Sequence, residues 1–387
     1  RVAILEASTR VGGRCFTDNV TFGVPYDRGA HTLYIAELNP VAKLATTVGL
    51  DIYPAPAGQR LHIGRRNARE GEMEDYLAAI VRANRAIADA ARGKTDISCA
   101  QALPKDLGEW RASVEFVLGP FACGKGLAEV SAMDEARSAE RYVASFCRQG
   151  VGTLIAKLAE GLPGQLATPV REIEFSRRGV DVQTAKGQFH ARAVIVTAST
   201  GVLAAGKIRF SPELPRRYGE AFARLGLGSY DHVAIELAGN PLGLQSDELM
   251  FEKASGPRTA ALLANIGGST LCHVDVGGAF GKSLAAEGSA AMISFAVGWL
   301  ADLFGSDVKS AVKRTHNTQW GKEPWILGAF SAAAPGGQPG RRVLMESIRE
   351  RIWFAGEAVH ETLWGTVGGA WESGERAADA VLRSLGR

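Results

Sequence analysis

The chain opens on a branched apolar run, "RVAIL", which reads as a short buried β-strand ending on Glu6. "NPVAKLATTVGL" (39–50) then predicts a helix, with an Asn cap, Pro at the first helical position and Gly49 as its stop. "MEDYLAAIVRANRAIADAARG" (73–93) carries apolar residues at helical spacing and predicts a long amphipathic helix. Residues 100–149 read as helical or irregular, without a strand, and "GVGTLIAKLAEGL" (150–162) as a further helix. The period then changes to two. Strands are expected around Val170–Phe175, Val180–Thr184 and Ala193–Thr197, with "AKGQ" as a hairpin turn joining two of them. "HVAIEL" (232–237) and "AALLANIGG" (260–268) predict strands, and "AAEGSAAMISFAVGWLADLFG" (285–305) a helix. The last block, "RIWFAGEAVHETLWGTVGGAWESGERAADAVLRSL", reads as strand, turn, loop and helix. Parallel-sheet-like pieces therefore lie at the start, near 190 and at the end, with helical and antiparallel pieces between. No repeat or low-complexity linker separates them. That is the pattern of a nucleotide-binding domain interrupted by insertions.

Composition adds mostly exclusions. A chain of 387 residues is too long for one small core, so two domains are expected. The net charge is +3 and the basic residues form no stripe, which excludes a nucleic-acid footprint. "GRRNAR" (64–69) is the densest basic stretch and reads as a solvated loop. The five cysteines, Cys15, Cys99, Cys123, Cys147 and Cys272, are scattered and form no C-x-x-C pair, so neither a disulfide framework nor a metal site is expected. The most apolar stretch, 290–304, is too short to span a membrane and contains Asp302. A cytoplasmic location is the expectation, with an export signal left open because the sequence shows no initiator Met.

Two stretches carry chemistry. In a doubly wound nucleotide fold, the second strand ends in an acidic residue that accepts hydrogen bonds from the adenosine ribose. Glu6 stands at such a strand end. Arg10 and Arg14 then fall near a pyrophosphate, and Gly12 and Gly13 allow close backbone approach. An ordinary strand ending on a surface Glu, with a Gly-Gly turn, fits the same residues. A G-x-G-x-x-G loop belongs roughly 20 residues earlier. Only five residues precede Glu6, so the first strand, phosphate loop and first helix are expected to be missing from this sequence. At the other end, Gly365, Thr366, Gly368 and Gly369 precede a helix whose free amides suit a phosphate or the pyrimidine edge of a flavin.

"VAILEASTRVGGR", "GVGTLIAKLAEGL", "TPVREI", "AVIVTASTGVL", "WGKEPWILGAFSAAAPG" and "FAGEAVHETLWGTVGGAWESGERAA" together resemble the flavin-containing amine oxidases. That family includes polyamine oxidases, monoamine oxidases and lysine-specific histone demethylases. The resemblance covers nearly the whole chain and is weakest in 51–149. It implies an α/β fold: a discontinuous FAD-binding Rossmann-like (glutathione-reductase-type) domain, and an α+β substrate domain built on an antiparallel sheet. Residues 1–40, 150–212 and 340–387 are expected in the first, and 41–149 and 213–339 in the second. It also implies hydride transfer from the carbon beside an amine nitrogen to flavin N5, hydrolysis of the imine, and peroxide formation from oxygen. By motif, Glu6 is expected at the adenosine ribose and Arg14 at the pyrophosphate or ribityl chain. Val170 is expected at the adenine through its backbone, and Gly356 and Glu357 at the phosphates and ribitol. Thr366, Val367 and Ala370 are expected beside the pyrimidine ring.

The sequence departs from the family elsewhere. His232 stands where members usually carry a Lys that holds a water near flavin N5. An unperturbed imidazole is not reliably cationic at neutral pH, so flavin reoxidation is expected to depend on pH through it. Its alternative reading is a core histidine satisfied by the backbone. Of the two aromatic rings that often enclose the amine, Phe330 matches one. Thr366 takes the other place, with Trp364 nearby and Trp320 as a further wall; these aromatics also fit a plain core. No Cys lies in 326–340, where covalent members attach flavin, so noncovalent FAD is expected. The partners expected are a small amine and oxygen. An amino-acid oxidase, a desaturase-type dehydrogenase and a noncatalytic flavin-fold binding protein are the rival readings. A substrate carboxylate needs an Arg beside the flavin, and the sequence alone places none.

Overall fold

The computed structural model describes residues 1–386 apart from 140 and 142. Its largest sheet has seven strands in the order Val312–Asn317, Tyr230–Leu237, Leu271–Gly277, Ala261–Ala264, Glu248–Glu252, Arg60–Ile63 and Arg66–Asn67. All neighbours are antiparallel except Glu248–Glu252 against Arg60–Ile63, which run parallel. One face of this sheet is apolar: Val233, Ile235, Cys272, Val274 and Val276 pack against the helix Ser289–Phe304 through Met292, Phe295, Ala296, Trp299 and Leu300. Strand periodicity sends His232, His273 and Asp275 to the opposite face.

The long helix is observed over Glu70–Ala90. Tyr76, Ala79, Ala83 and Ile87 form its buried stripe and share a core with Trp110, Phe116, Phe251 and Trp364. A four-stranded sheet, Gly187–Ala191, Val180–Thr184, Val170–Phe175 and Arg209–Ser211, forms a third core with the helices Arg216–Arg224 and Gly340–Met345. Two parallel pairs complete the part nearest the chain ends: Ile4–Leu5 with Gly164–Gln165, and Val194–Val196 with Ile352–Phe354. Among the described residues no helix is long and apolar enough to cross a membrane.

Several expectations change. The 100–149 stretch contains a strand, Ala144–Cys147, at the centre of a three-stranded sheet between Thr32–Tyr34 and Ile52–Pro54. Its four residues, "ASFC", are too short and too mixed to show a period. The "AKGQ" turn joins Val180–Thr184 to a strand at Gly187–Ala191, whereas Val194–Val196 pairs elsewhere. The helix expected over 285–305 is two helices, Gly278–Glu287 and Ser289–Phe304, broken at Gly288. The strand expected over 260–268 ends at Ala264, and a short 3₁₀ turn follows. "GRRNAR" is a turn followed by the exposed strand Arg66–Asn67, where Arg66 pairs with Glu72.

Candidate active site

Glu6, Arg10, Gly12, Gly13, Arg14, Val170, His232, Phe330, Gly356, Glu357, Trp364, Thr366, Val367 and Ala370 all line one cavity of about 2600 Å³. A small-ligand pocket occupies about 300–1,000 Å³, so this one has room for a large cofactor and a substrate together. Its lining also includes Ile4, Leu5, Val194, Ile195 and Val196 of the two parallel strand pairs, and the exposed Val2.

The first parallel pair delivers Glu6. Its N–H donates to Gln165 O (2.9 Å), its carbonyl accepts Thr168 N–H (2.8 Å), and its Oε1 accepts Ser8 N–H (2.7 Å). The turn that follows needs Gly12: with φ +94°, a Cβ there would stand 2.4 Å from Cys15 O. The Arg10 guanidinium lies over the Phe16 ring at 4.3 Å, and burial lowers its pKa. Arg14 reaches across the chain, and its Nη1 donates to Glu357 Oε1 (2.8 Å) and Ala329 O (2.5 Å).

Glu357 is buried and fully committed to the protein. Oε1 also accepts Ser331 N–H (3.1 Å), while Oε2 accepts the Ser331 hydroxyl (2.7 Å) and Gly365 N–H (2.7 Å). The carboxylate therefore clamps the loop leading to the last helix, Val367–Ser384. Thr366 caps that helix: its hydroxyl accepts Gly369 N–H (3.0 Å) and donates to Leu363 O (2.6 Å). A Cβ on Gly369 would fall 2.1 Å from Leu363 O, so only glycine permits this turn. The amides of Val367 and Gly368 remain at the helix N-terminus, where the helix dipole favours an electron-rich partner.

The aromatic residues divide. Phe330 lies 5.5 Å from the Tyr230 ring, and both line the cavity. Trp320 also lines the cavity, and its indole N–H donates to Arg28 O (2.9 Å). Trp364 is 1% exposed and two guanidinium groups lie over its ring, Arg141 at 4.8 Å and Arg341 at 5.0 Å. Trp364 nevertheless lines the cavity, next to Gly365 and Thr366.

His232 has a partner that sequence reading missed. Its Nδ1 lies 2.6 Å from Asp275 Oδ1, and its Nε2 faces Gly29 O at 3.3 Å. Tyr230 donates its hydroxyl to Asp275 Oδ2 (3.0 Å). Acceptors stand at both ring nitrogens, and only an imidazolium can donate from both. Burial pushes the His232 pKa down, but the Asp275 charge, its hydrogen bond and the Gly29 carbonyl outweigh it, and the net direction is up. His273, 4.7 Å away between ring centres, is held neutral by burial and by the His232 charge. His232, His273 and Asp275 are grouped closely enough to suggest a metal triad. The acceptors on both His232 nitrogens make an ion pair the better description. The missed signal was "LCHVDVG", a period-two run. By NMR, His232 is expected to titrate above about 6.5, the ordinary histidine value. Asp275→Asn should drop it below that value; a wild-type imidazole already titrating below it would overturn the assignment. The pair's contribution to stability is complete below the unfolded pKa and is lost as pH rises through the raised folded one.

A strand-end carboxylate, a glycine turn and a capped helix bordering a cavity of this size define a nucleotide-cofactor-binding protein. The chain belongs to the family described as flavin containing amine oxidoreductase, which matches residues 1–382. It is 27% identical to mouse lysine-specific histone demethylase 1B over 98% of this chain and 50% of that protein. It is 26% identical to polyamine oxidase 4 of Oryza sativa subsp. japonica over 99% of this chain and 84% of that protein. The chain therefore spans half the length of the demethylase relative. Among solved structures, cyclohexylamine oxidase from Brevibacterium oxydans superposes with TM-score 0.82 at 19% identity, covering 100% of this chain and 94% of that one. Putrescine oxidase bound to putrescine superposes with TM-score 0.80 at 19% identity, covering 98% and 93%. The fold is that of these amine oxidases.

Proposed function

We propose that this protein oxidises the C–H bond beside an amine nitrogen, using noncovalent FAD held in the cavity and oxygen as the final acceptor. The observation that carries the reading is the gathering of every motif residue, from Glu6 to Ala370, on one cavity. The residues fit FAD: an acidic strand end for the ribose, open space before Gly356, and free amides at the N-terminus of the last helix. Bound there, the flavin supplies the hydride acceptor. Glu6 would hold the adenosine ribose and Val170 would meet the adenine. Arg10 and Arg14 would balance phosphate charge. Gly356 would border the ribitol, with Glu357 bracing it from behind, and Thr366, Val367 and Ala370 would border the pyrimidine ring. Phe330 and Tyr230 would wall the substrate, and His232 would present a positive charge to the cavity. Cys15 is the cysteine that lines the cavity among the described residues. Burial and nearby Asp27 push its thiol up to about 12, so it stays protonated and does not attack the flavin ring. The division into a cofactor part (1–40, 150–212, 340–387) and a substrate part (41–149, 213–339) belongs to this reading.

The test is reconstitution with FAD followed by a peroxide-coupled amine screen. Retained flavin absorbance and amine-dependent peroxide are expected. Glu6→Ala should weaken FAD binding about 10- to 100-fold, the worth of a charged hydrogen bond. No retained flavin at saturating FAD, or flavin without turnover of any amine, would overturn the reading.

A further inference from the structure

We propose that a corner built from the turns 176–179 and 348–351 docks an acidic polypeptide segment of a partner protein, through Arg177, Arg178, Arg349 and Arg351. None of these four residues lines the cavity described above, so the surface stands apart from the amine-oxidation site. The first turn joins the antiparallel strands Val170–Phe175 and Val180–Thr184. The second leads into the strand Ile352–Phe354. Arg351 ties the two together across 174 positions of chain: its Nη2 donates to Arg177 O (2.8 Å) and its Nη1 to Glu350 O (3.0 Å). Arg349 lays its guanidinium over the Phe175 ring, 5.6 Å from its centre. Arg177, Arg178 and Arg349 are exposed.

The second turn is strained where it presents its charges. Arg349 and Glu350 are consecutive left-handed residues, with φ +53° and +52°. Such positions favour glycine or asparagine, because a Cβ there crowds the neighbouring carbonyl. Ile348 and Ile352 close the turn, with Ile348 N–H donating to Ile352 O (2.8 Å) and Ile352 N–H to Ile348 O (3.2 Å). Two long charged side chains are therefore kept at a site whose backbone suits neither. Strain of this kind is found where a side chain serves a contact.

The carboxylates of the adjoining strands and turns are engaged elsewhere: Glu172 with Arg209, Asp181 with His190 and Glu346 with Arg217. Glu350 accepts the Ser384 hydroxyl (3.4 Å). Among the described residues no carboxylate lies within 4.0 Å of the four guanidinium groups, and like charges so gathered repel one another. A segment with several carboxylates relieves this repulsion, since each open arginine fork can give a carboxylate two parallel N–H···O bonds. The contacts to Arg177 O, Glu350 O and the Phe175 ring hold Arg351 and Arg349 in place beforehand, which lowers the entropy lost on binding. The charge pattern favours a polypeptide over a nucleic acid. Glu350 stands between Arg349 and Arg351 and meets a continuous phosphate backbone with like charge, and the net charge of +3 gives no wide positive field.

Fluorescence anisotropy of a labelled octapeptide made only of Glu and Asp, titrated with the purified protein, tests the surface. Saturable binding is expected at low salt and should weaken as salt is raised. Arg177→Glu/Arg349→Glu should weaken it at least about 10-fold, the worth of two exposed ion pairs. Arg178→Gln/Arg349→Gln, which removes charge without reversing it, should act in the same direction by a smaller factor and decides the matter if the reversal unfolds the protein. Arg85→Glu, on the exposed side of the helix Glu70–Ala90, should bind as the wild type does. Absence of saturable binding overturns the proposal. So does an equal loss in Arg85→Glu, which would make net charge the cause. An octathymidylate that binds more tightly than the peptide and is lost in the same corner variants overturns it as well, because the surface would then belong to a nucleic acid.

Discussion

Asp134→Ala is expected to destabilise the protein by about 3–5 kcal/mol, the cost of stranding one member of a buried ion pair. Asp134 and Arg341 are each 0% exposed in their side chains. The pair is bidentate, with Nε to Oδ1 and Nη2 to Oδ2 both at 2.7 Å. Asp134 Oδ2 also accepts Ala333 N–H (3.0 Å), and Arg341 Nη1 donates to Ala358 O (3.0 Å) and Ser331 Oγ (3.2 Å). One contact thus fastens the short helix Ala132–Glu135 to the strands and loops around 331–358. Folded domains carry about 5–15 kcal/mol in total, so the loss is a large fraction. The double variant Asp134→Leu/Arg341→Met tests the cause, because removing both charges should recover much of the loss. Denaturant unfolding of the three proteins measures it. A double variant less stable than Asp134→Ala would show that packing, not charge, sets the cost.

This pair also shows where sequence reading reached its limit. The two partners lie 207 positions apart, in stretches without a period of their own. Pattern gives an element's type when its neighbours are local, as in the buried stripe of the helix Glu70–Ala90. It also delivered the motif ends, because a strand-end Glu6 and a Gly-rich helix start have local signatures. Asp275 was legible in principle, two residues from His273 on an alternating run, but its partner His232 is fixed only by strand pairing. Arg141 was not legible at all. It lies on no regular element, and its contact with Trp364 spans 223 positions. The pKa of His232 belongs with these. The sequence left it an ordinary histidine, and acceptors brought by distant segments raise its pKa.

Glu357→Ala should be as damaging as Asp134→Ala, by about 3–5 kcal/mol, and should also release flavin. The substitution takes one acceptor group from Arg14, from the Ser331 N–H and hydroxyl, and from Gly365 N–H. Gly365 directly precedes the Thr366 cap, so the cost falls on the turn that presents the amides of Val367 and Gly368. Ser331 links this cluster to Arg341, so losses at Glu357 and Asp134 should not add independently. Glu357→Gln is the milder probe. The amide oxygen can still accept from Arg14, but its NH₂ group meets the Gly365 N–H, donor against donor. The acid limb gives a further check. Burial pushes the Glu357 carboxyl up, yet Arg14, Ser331 and Arg341 outweigh it and its pKa is lowered overall. Its stabilisation is therefore present above the unfolded value of about 4.3 and is lost as pH falls through the lower folded value. Wild type should lose stability more steeply than Glu357→Gln below that pH. Equal acid limbs, with FAD retained by both Glu357 variants, would mean that this carboxylate neither bears the loop nor supports the cofactor.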